Sequence, residues 1–411
     1  MEIAHFTVVV VGGGPAGASC AISLLNNGVS NVALIDSAVF PRDKSCGDGI
    51  GPGAVQVLKR LGLGQKLDQH VSIKYLSVSG PSGVQVRGPL PVVGSSTPVG
   101  YTIPRRIFDN YIAEGALAAG TINLTGHQLH TATFENDRWT IQLKNSETDE
   151  RTSITTDVLI GADGARSKVR RILGVPMNSD RHTGTAVRIY SQSPRANFDA
   201  LQIDFDEKLL PAYGWLFPID RERANVGVGM DLANYKKKGS HLQDLLKSYR
   251  SRLSPNLQYD ENSYNAYILP YGSQLPRLAH PLQLAALIGD AGSMINPLTG
   301  EGIFYGMFAG ELLGRLIAPT LVGTRSRVKV EMALSEYEIQ FRRRFKAHFD
   351  LNWQMKEKVE IPAWCNMVIN ACRKDRKVLG DLIDLMMGDK RSLDSSMVLR
   401  IFARNFIPFL S

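Results

Sequence analysis

Near the N-terminus, Gly12-Gly13-Gly14-Pro15-Ala16-Gly17 follows four consecutive valines, Val8 to Val11. A short run of β-branched residues reads as a strand buried on both faces. From Pro15 to about Asn27 the spacing is helical, with Ala16, Cys20 and Leu24 on one face and a stop at Asn26-Asn27-Gly28. A Gly-x-Gly-x-x-Gly turn between strand and helix lets a pyrophosphate lie against bare backbone, where a Cβ would intrude, at the positive end of a helix dipole. Gly12, Gly14 and Gly17 are its glycines. Asp36 ends the next strand, 19 residues beyond Gly17, where a carboxylate accepts hydrogen bonds from ribose hydroxyls. A merely structural turn calls for neither the helix nor the acid. The chemistry expected is dinucleotide binding, although this motif alone does not separate FAD from NAD.

Other residues with chemical potential lie farther along. Val158-Leu159-Ile160 runs into Gly161-Ala162-Asp163-Gly164-Ala165-Arg166-Ser167, and Leu284 to Ile288 runs into Gly289-Asp290-Ala291-Gly292. Asp290, on a strand-to-loop turn, is placed to accept from a ligand hydroxyl, whereas Asp163 is placed to fix its own turn. The loop Asn296-Pro297-Leu298-Thr299-Gly300-Glu301-Gly302 precedes an apolar helix expected over Ile303 to Ile317. It is either a plain helix cap or a helix N-terminus aimed at a developing negative charge, and two glycines flanking an acid favour the second. Cys46 sits in a Gly-rich loop, where its thiol either donates a proton or packs. Tyr213, Trp215 and Phe217 alternate and so share one sheet face, as an aromatic wall for a substrate or as ordinary core.

Together these segments resemble a known set. The Gly161 and Gly289 stretches are similar to the second and third FAD fingerprints of the para-hydroxybenzoate-hydroxylase-like flavoproteins. Arg105, in Arg105-Arg106-Ile107-Phe108-Asp109, matches the FAD-contacting arginine of that superfamily. Within it, Phe40-Pro41-Arg42-Asp43-Lys44-Ser45-Cys46-Gly47-Asp48-Gly49 and Tyr213-Gly214-Trp215-Leu216-Phe217-Pro218 resemble the geranylgeranyl reductase family. The resemblance implies FAD as cofactor, held by Gly12, Gly14, Pro15, Ala16, Gly17, Asp36, Cys46, Gly47, Arg105, Asp163, Gly164, Gly289, Asp290, Pro297, Gly300, Gly302 and Ile303. It implies Cys46 near the flavin, as a candidate catalytic thiol, and Tyr213, Trp215 and Phe217 against the substrate.

These residues require a scaffold of a particular kind. The opening strand, helix and strand form a βαβ unit, which implies a parallel sheet. Residues of about 181–278 alternate apolar and polar side chains between Pro/Gly turns, the pattern of antiparallel sheet. The expected fold is α/β: a Rossmann-like FAD-binding domain (1–75, 101–180 and 279–325) interrupted by an antiparallel β-sheet substrate domain (76–100 and 181–278). A helical region follows over 326–411.

At 411 residues and 44% hydrophobic the chain can bury a full core. Four cysteines are too few for a disulfide framework and fit no zinc spacing, so a reducing cytoplasm is expected and no metal site. The N-terminus runs directly into an apolar strand, without the basic region of a signal peptide, and no apolar run of spanning length appears. Of the formal charge of +8, six units fall after residue 324. These are solvated helix faces or an attraction to anionic lipid at the inner face of a membrane. No aromatic-interleaved basic motif accompanies them, so nucleic acid is not expected.

Reduced flavin passes a hydride to a polarised alkene, or it traps O₂ to hydroxylate or halogenate. Halogenases of this superfamily carry a Trp-x-Trp-x-Ile-Pro motif, and Tyr213 and Phe217 break it here. The expected activity is reduction of carbon–carbon double bonds in an isoprenoid or other hydrophobic substrate, with aromatic or natural-product monooxygenation as the alternative. A second glycine motif for NADPH is absent, so NAD(P)H binds transiently or a partner reductase supplies electrons. The tail, rich in Met and aromatic residues such as Phe345, Phe349, Trp353, Met386 and Met387, is expected either to close a hydrophobic tunnel with the Tyr213–Phe217 strand or to cover the nucleotide domain.

Overall fold

The computed structural model describes residues 3–92, 99–192, 199–239, 241–253, 257–324, 326–388, 392 and 395–406. The strand Ala4–Val11 lies inside a sheet, parallel to Arg151–Gly161 on one side and to Val32–Asp36 on the other. Val8 and Val10 pack into one core cluster, Val9 and Val11 into another, which is why the run is apolar at every position. Ile122–Thr125 and Ala285–Leu287 extend the sheet in parallel, and a hairpin, His127–Glu135 with Arg138–Asn145, adds antiparallel strands to Arg151–Gly161.

One face is covered by the helices Pro15–Asn26 and Ile303–Leu321. They cross closely because Gly306, Gly310 and Gly314 form a bare stripe: a Cβ at Gly310 would stand 2.3 Å from the Ala16 carbonyl oxygen. The second helix runs past the expected Ile317, since Pro319 sits in its last turn and removes little of the backbone ladder.

The second sheet has seven strands among the described residues, in the order Tyr259–Pro270, Thr183–Gln192, Arg223–Asp231, Tyr213–Pro218, Ala200–Asp204, Tyr75–Ser79 and Gln85–Pro89. It is antiparallel except that Ala200–Asp204 runs parallel to Tyr75–Ser79. The sheet is antiparallel as expected apart from this pair, where Tyr75–Ser79 enters from an earlier, separate excursion of the chain with no hairpin to impose direction. The helix Leu242–Leu253 covers one face, and Gly214 leaves room there for the Tyr249 ring.

The tail divides its packing. Phe341, Phe345 and Phe349, on the helix Arg327–Val359, recur at a helical spacing of four; Phe345 and Phe349 meet Phe304 and Tyr305 against the nucleotide-binding layer, and Phe341 packs on Phe345. Pro362–Lys374 and Arg376–Met387 pack instead on the edge of the seven-stranded sheet, where Gly80 and Gly88 admit Ile369 and Ile383. No helix among the described residues is long and apolar enough to cross a membrane.

Candidate active site

Between the two sheets lies a cavity with about 1310 Å³ of empty volume, part of it open to solvent. At one end it is lined by Gly14, Pro15, Ala16, Gly164, Gly289 and Asp290, and at the other by Leu201, Ile203, Tyr213, Trp215, Phe217 and Leu269. Cys46, Gly47, Arg105, Gly300, Gly302 and Ile303 also line it. Segments far apart in the chain therefore converge on one cavity.

The three motif glycines do different work. Gly12 has φ +110°, and a Cβ there would stand 2.2 Å from the Ala162 oxygen; a Cβ on Gly17 would stand 1.9 Å from the Gly12 oxygen. Both are required by protein packing and lie behind the cavity wall. Gly14 would meet only an Arg42 nitrogen, at 3.4 Å, and its surface is open to the cavity. Asp36 accepts from the Gly13 and Ala38 N–H groups at 2.8 and 2.9 Å, which fixes the turn and leaves acceptor capacity on its carboxylate. Asp163 is placed behind the wall, accepting from the Ser167 hydroxyl and the Lys168 and Val169 N–H groups. Pro297 also turns away, into a small second cavity with Tyr271 and Lys356.

Beside Cys46 the polar groups are interlocked. The buried Arg105 guanidinium forks onto Asp109 at 2.5 and 2.7 Å, and Arg42 adds a third contact at 2.5 Å. Burial alone would raise the Asp109 carboxyl, but the two guanidinium groups hold it below the usual carboxylate range. Lys44 donates to Asp290 at 2.9 Å and lies over the Tyr267 ring. Burial pushes the Cys46 thiol up, so it keeps its proton despite Arg105 nearby.

The aromatic wall follows from strand geometry. Gly214 and Leu216 point to the covering helix, so Tyr213, Trp215 and Phe217 point to the cavity. Trp215 lies flat over Gly227 and donates to Asn225 at 2.9 Å. Tyr213 donates to the Thr299 oxygen at 3.0 Å, tying the wall to the loop before Ile303. Of the tail, Met387 lines the cavity, while Phe345 and Phe349 face the nucleotide layer. Trp353 packs against His182 and Tyr271.

Comparison with known proteins is decisive at this point. Residues 5–207 match the family model described as an FAD binding domain. The chain is 36% identical over 319 residues to a menaquinone reductase of Mycolicibacterium smegmatis, covering 75% of this chain and 76% of that one. It is 28% identical to a digeranylgeranylglycerophospholipid reductase of Methanocella arvoryzae, over 86% and 87% of the two chains. The chain belongs to the geranylgeranyl reductase family of FAD-dependent oxidoreductases. A geranylgeranyl bacteriochlorophyll reductase-like protein from Thermoplasma acidophilum shares the fold, with a TM-score of 0.77 at 20% identity over 98% and 97% of the chains.

The residues of this oxidoreductase fit FAD. The helices Pro15–Asn26 and Ile303–Leu321 both start at the cavity, and neither first turn is capped by a side chain, which leaves N–H groups for an anionic or carbonyl-bearing ligand. Gly14, Pro15, Ala16, Arg105 and Asp290 line the cavity, and Asp36 stands behind the glycine turn; we propose the first three for the pyrophosphate, Asp36 for the adenosine ribose and Asp290 with Arg105 for the remainder of the cofactor.

Several residues escape a reading of the sequence alone. Asp48 is fully buried with φ +64°, and accepts from the Tyr190 hydroxyl at 2.9 Å, Asn225 at 2.8 Å and the Arg105 N–H at 3.2 Å. Burial pushes its carboxyl up to about 6 against these donors. Asn225 also donates to the Cys46 oxygen at 2.7 Å, so the cysteine loop is bolted to the second sheet. Arg188 reinforces that joint through Asp43 and the Ser263 oxygen. Asp109, four residues after Arg105, is the one partner whose spacing announced it. Glu301, between Gly300 and Gly302, also lines the cavity, and its type and position gave no sign that it would be buried there.

Proposed function

We propose that this reductase hydrogenates a carbon–carbon double bond in the prenyl chain of a lipid-soluble substrate, such as a polyprenyl quinone. The observation that carries this reading is the continuity of the glycine cradle with an aromatic and aliphatic wall in one cavity. When bound, FAD supplies the hydride. The chain's own residues bind and orient: Tyr213, Trp215, Phe217, Leu201 and Leu269 offer an apolar, ring-lined surface that suits a prenyl unit and excludes water. Cys46 and Tyr213 keep their protons, raised by burial, and present neutral faces to an apolar chain. The menaquinone reductase relatives, from 34 to 36% identical, support a quinone-bearing substrate. Electrons come from NAD(P)H that binds and leaves, or from a partner reductase. A bilayer-soluble substrate puts the work at the inner membrane face, in a cytoplasmic protein that meets the membrane peripherally.

The test is anaerobic. Protein reduced with dithionite is mixed with a short-chain menaquinone, and the product is re-oxidised in air before mass analysis, because the quinone ring itself also accepts electrons. A side chain that keeps two added hydrogens supports the reading. In a parallel reaction that admits O₂ while the flavin is still reduced, a product that has gained oxygen instead overturns it in favour of monooxygenation.

A further inference from the structure

Glu301 lines the cavity, in the loop that precedes the helix Ile303–Leu321. Its backbone is engaged, with N–H to the Thr299 hydroxyl and the carbonyl accepting from Asn296. Its side chain is not: Oε2 is buried with no hydrogen-bond partner among the described residues. Buried carboxyls without partners are rare, because each forfeits solvation for nothing. Space has been made for this one. Gly51 has φ −72°, a conformation any residue adopts, yet a Cβ there would stand 2.9 Å from Glu301 Oε1 and 3.4 Å from the Met387 methyl. The bare Cα at Gly51 leaves room for that carboxyl.

The other ionisable groups lining the cavity are Lys44, Cys46, Arg105, Tyr213, Tyr267 and Asp290, and none is bonded to Glu301. Desolvation alone pushes the Glu301 carboxyl up to about 8, so at neutral pH it carries a proton. Burial also raises Cys46 and Tyr213, which begin from much weaker acids. Among these three proton carriers, Glu301 gives its proton up most readily near neutrality, as a general acid should.

We propose that Glu301 is the proton donor of the reduction, held next to Gly51 and Met387 in the cavity that the aromatic wall also lines. The donor role rests on the alkene reduction proposed for this cavity. The alkene π pair would form one C–H bond with the Glu301 proton, and the electron-poor carbon left behind would take the hydride with its two electrons from reduced FAD, leaving oxidised FAD and a carboxylate that regains its proton from water.

The variants Glu301→Gln and Glu301→Asp, purified with FAD bound, test this on the menaquinone reaction and on stability. The Gln variant should reduce the side chain about 10²–10⁴-fold more slowly with FAD content unchanged, and Asp should recover part of the loss. The wild-type rate should fall as pH rises through about 8, a dependence absent from Gln. Independently of turnover, a carboxyl raised from 4.5 stabilises the fold below that pH and loses its contribution as pH rises through about 8. The wild-type melting temperature should decline across that window, and that of Glu301→Gln should not. A Gln variant with wild-type rate and pH profiles overturns the donor role while leaving the reductase standing. A wild type that never reduces the side chain overturns both.

Discussion

At the Gly14 end of the cavity the walls are backbone and glycine, tied together by carboxylates whose partners are already in place. At the Tyr213 end they are rings standing on a sheet, with one carboxyl left alone. Asp36, Asp109 and Asp290 each hold a defined N–H, guanidinium or ammonium group, whereas Glu301 Oε2 has no hydrogen-bond partner among the described residues. The first end is made to receive one fixed ligand, since a wall of backbone cannot be reshaped by exchanging side chains. The second is made of replaceable side chains, and specificity between relatives must reside there.

The largest expected effect separates cradle from scaffold at the first end. Gly14→Val places a side chain into open cavity and should yield a folded protein without FAD. Gly17→Val drives carbon into the Gly12 oxygen, 1.9 Å from the Cβ position, and should exceed the ~1–3 kcal/mol of ordinary overpacking, leaving little folded protein. Flavin absorbance per chain, alongside a thermal melt, reads both. A yellow Gly14→Val protein would break the assignment of this end to the pyrophosphate.

Next is Arg105. From its sequence match it would be only a cofactor contact, but its fork onto the fully buried Asp109 makes it structural as well. Removing one partner of a buried pair typically costs about 3–5 kcal/mol, here toward the lower figure because Arg42 remains. Arg105→Ala should therefore lower both FAD affinity and the melting temperature of the apoprotein. Asp290→Ala, whose partner Lys44 is partly exposed, should lower FAD affinity by ~1–3 kcal/mol and leave the melt nearly unchanged. Equal melts for the two variants would show that the Asp109 fork is not what holds this end together.

The same contrast explains what could be read in advance. The Gly14 end is encoded locally: a strand, a turn and a helix within Val8 to Gly17 suffice, and Asp36 follows at a spacing set by one βαβ unit. Alternation alone put Tyr213, Trp215 and Phe217 on one face. The joint at Asp48 was not legible, because Tyr190 and Asn225 lie more than 100 residues away and an Asp-Gly step reads simply as a turn. Nor was the division of the tail. Phe345 and Met387 are both apolar residues on amphipathic helices, and only packing sends one to the nucleotide layer and the other to the cavity.

Tyr213→Trp sharpens the second end. The larger ring must displace the loop at Gly300, where a Cβ would already stand 2.9 Å from the Tyr213 oxygen, and the bond to the Thr299 oxygen is lost. The expected result is about a tenfold rise in KM for a prenylated substrate, near 1.4 kcal/mol, with FAD content unchanged. Loss of FAD instead would mean that this ring belongs to the cofactor's end of the cavity.

The smallest effect is expected at Met387, where the tail reaches the cavity. Its methyl lies beside Gly51 and the Glu301 carboxyl, so Met387→Ala opens space next to the lone acid without touching the glycine cradle. An unbranched thioether fills such a place adaptably, and its loss should be felt as shape more than as affinity. Substrates differing by one prenyl unit should change their order of preference by a few-fold in kcat/KM. The melting temperature should fall modestly, since Met387 also packs on the cluster with Leu385 and Ile383. If the tail served only to cover the sheet, stability would fall and the order of preference would stay as in the wild type. A series of menaquinones of increasing chain length, assayed against both proteins, therefore decides whether the substrate end includes the tail or stops at the aromatic wall.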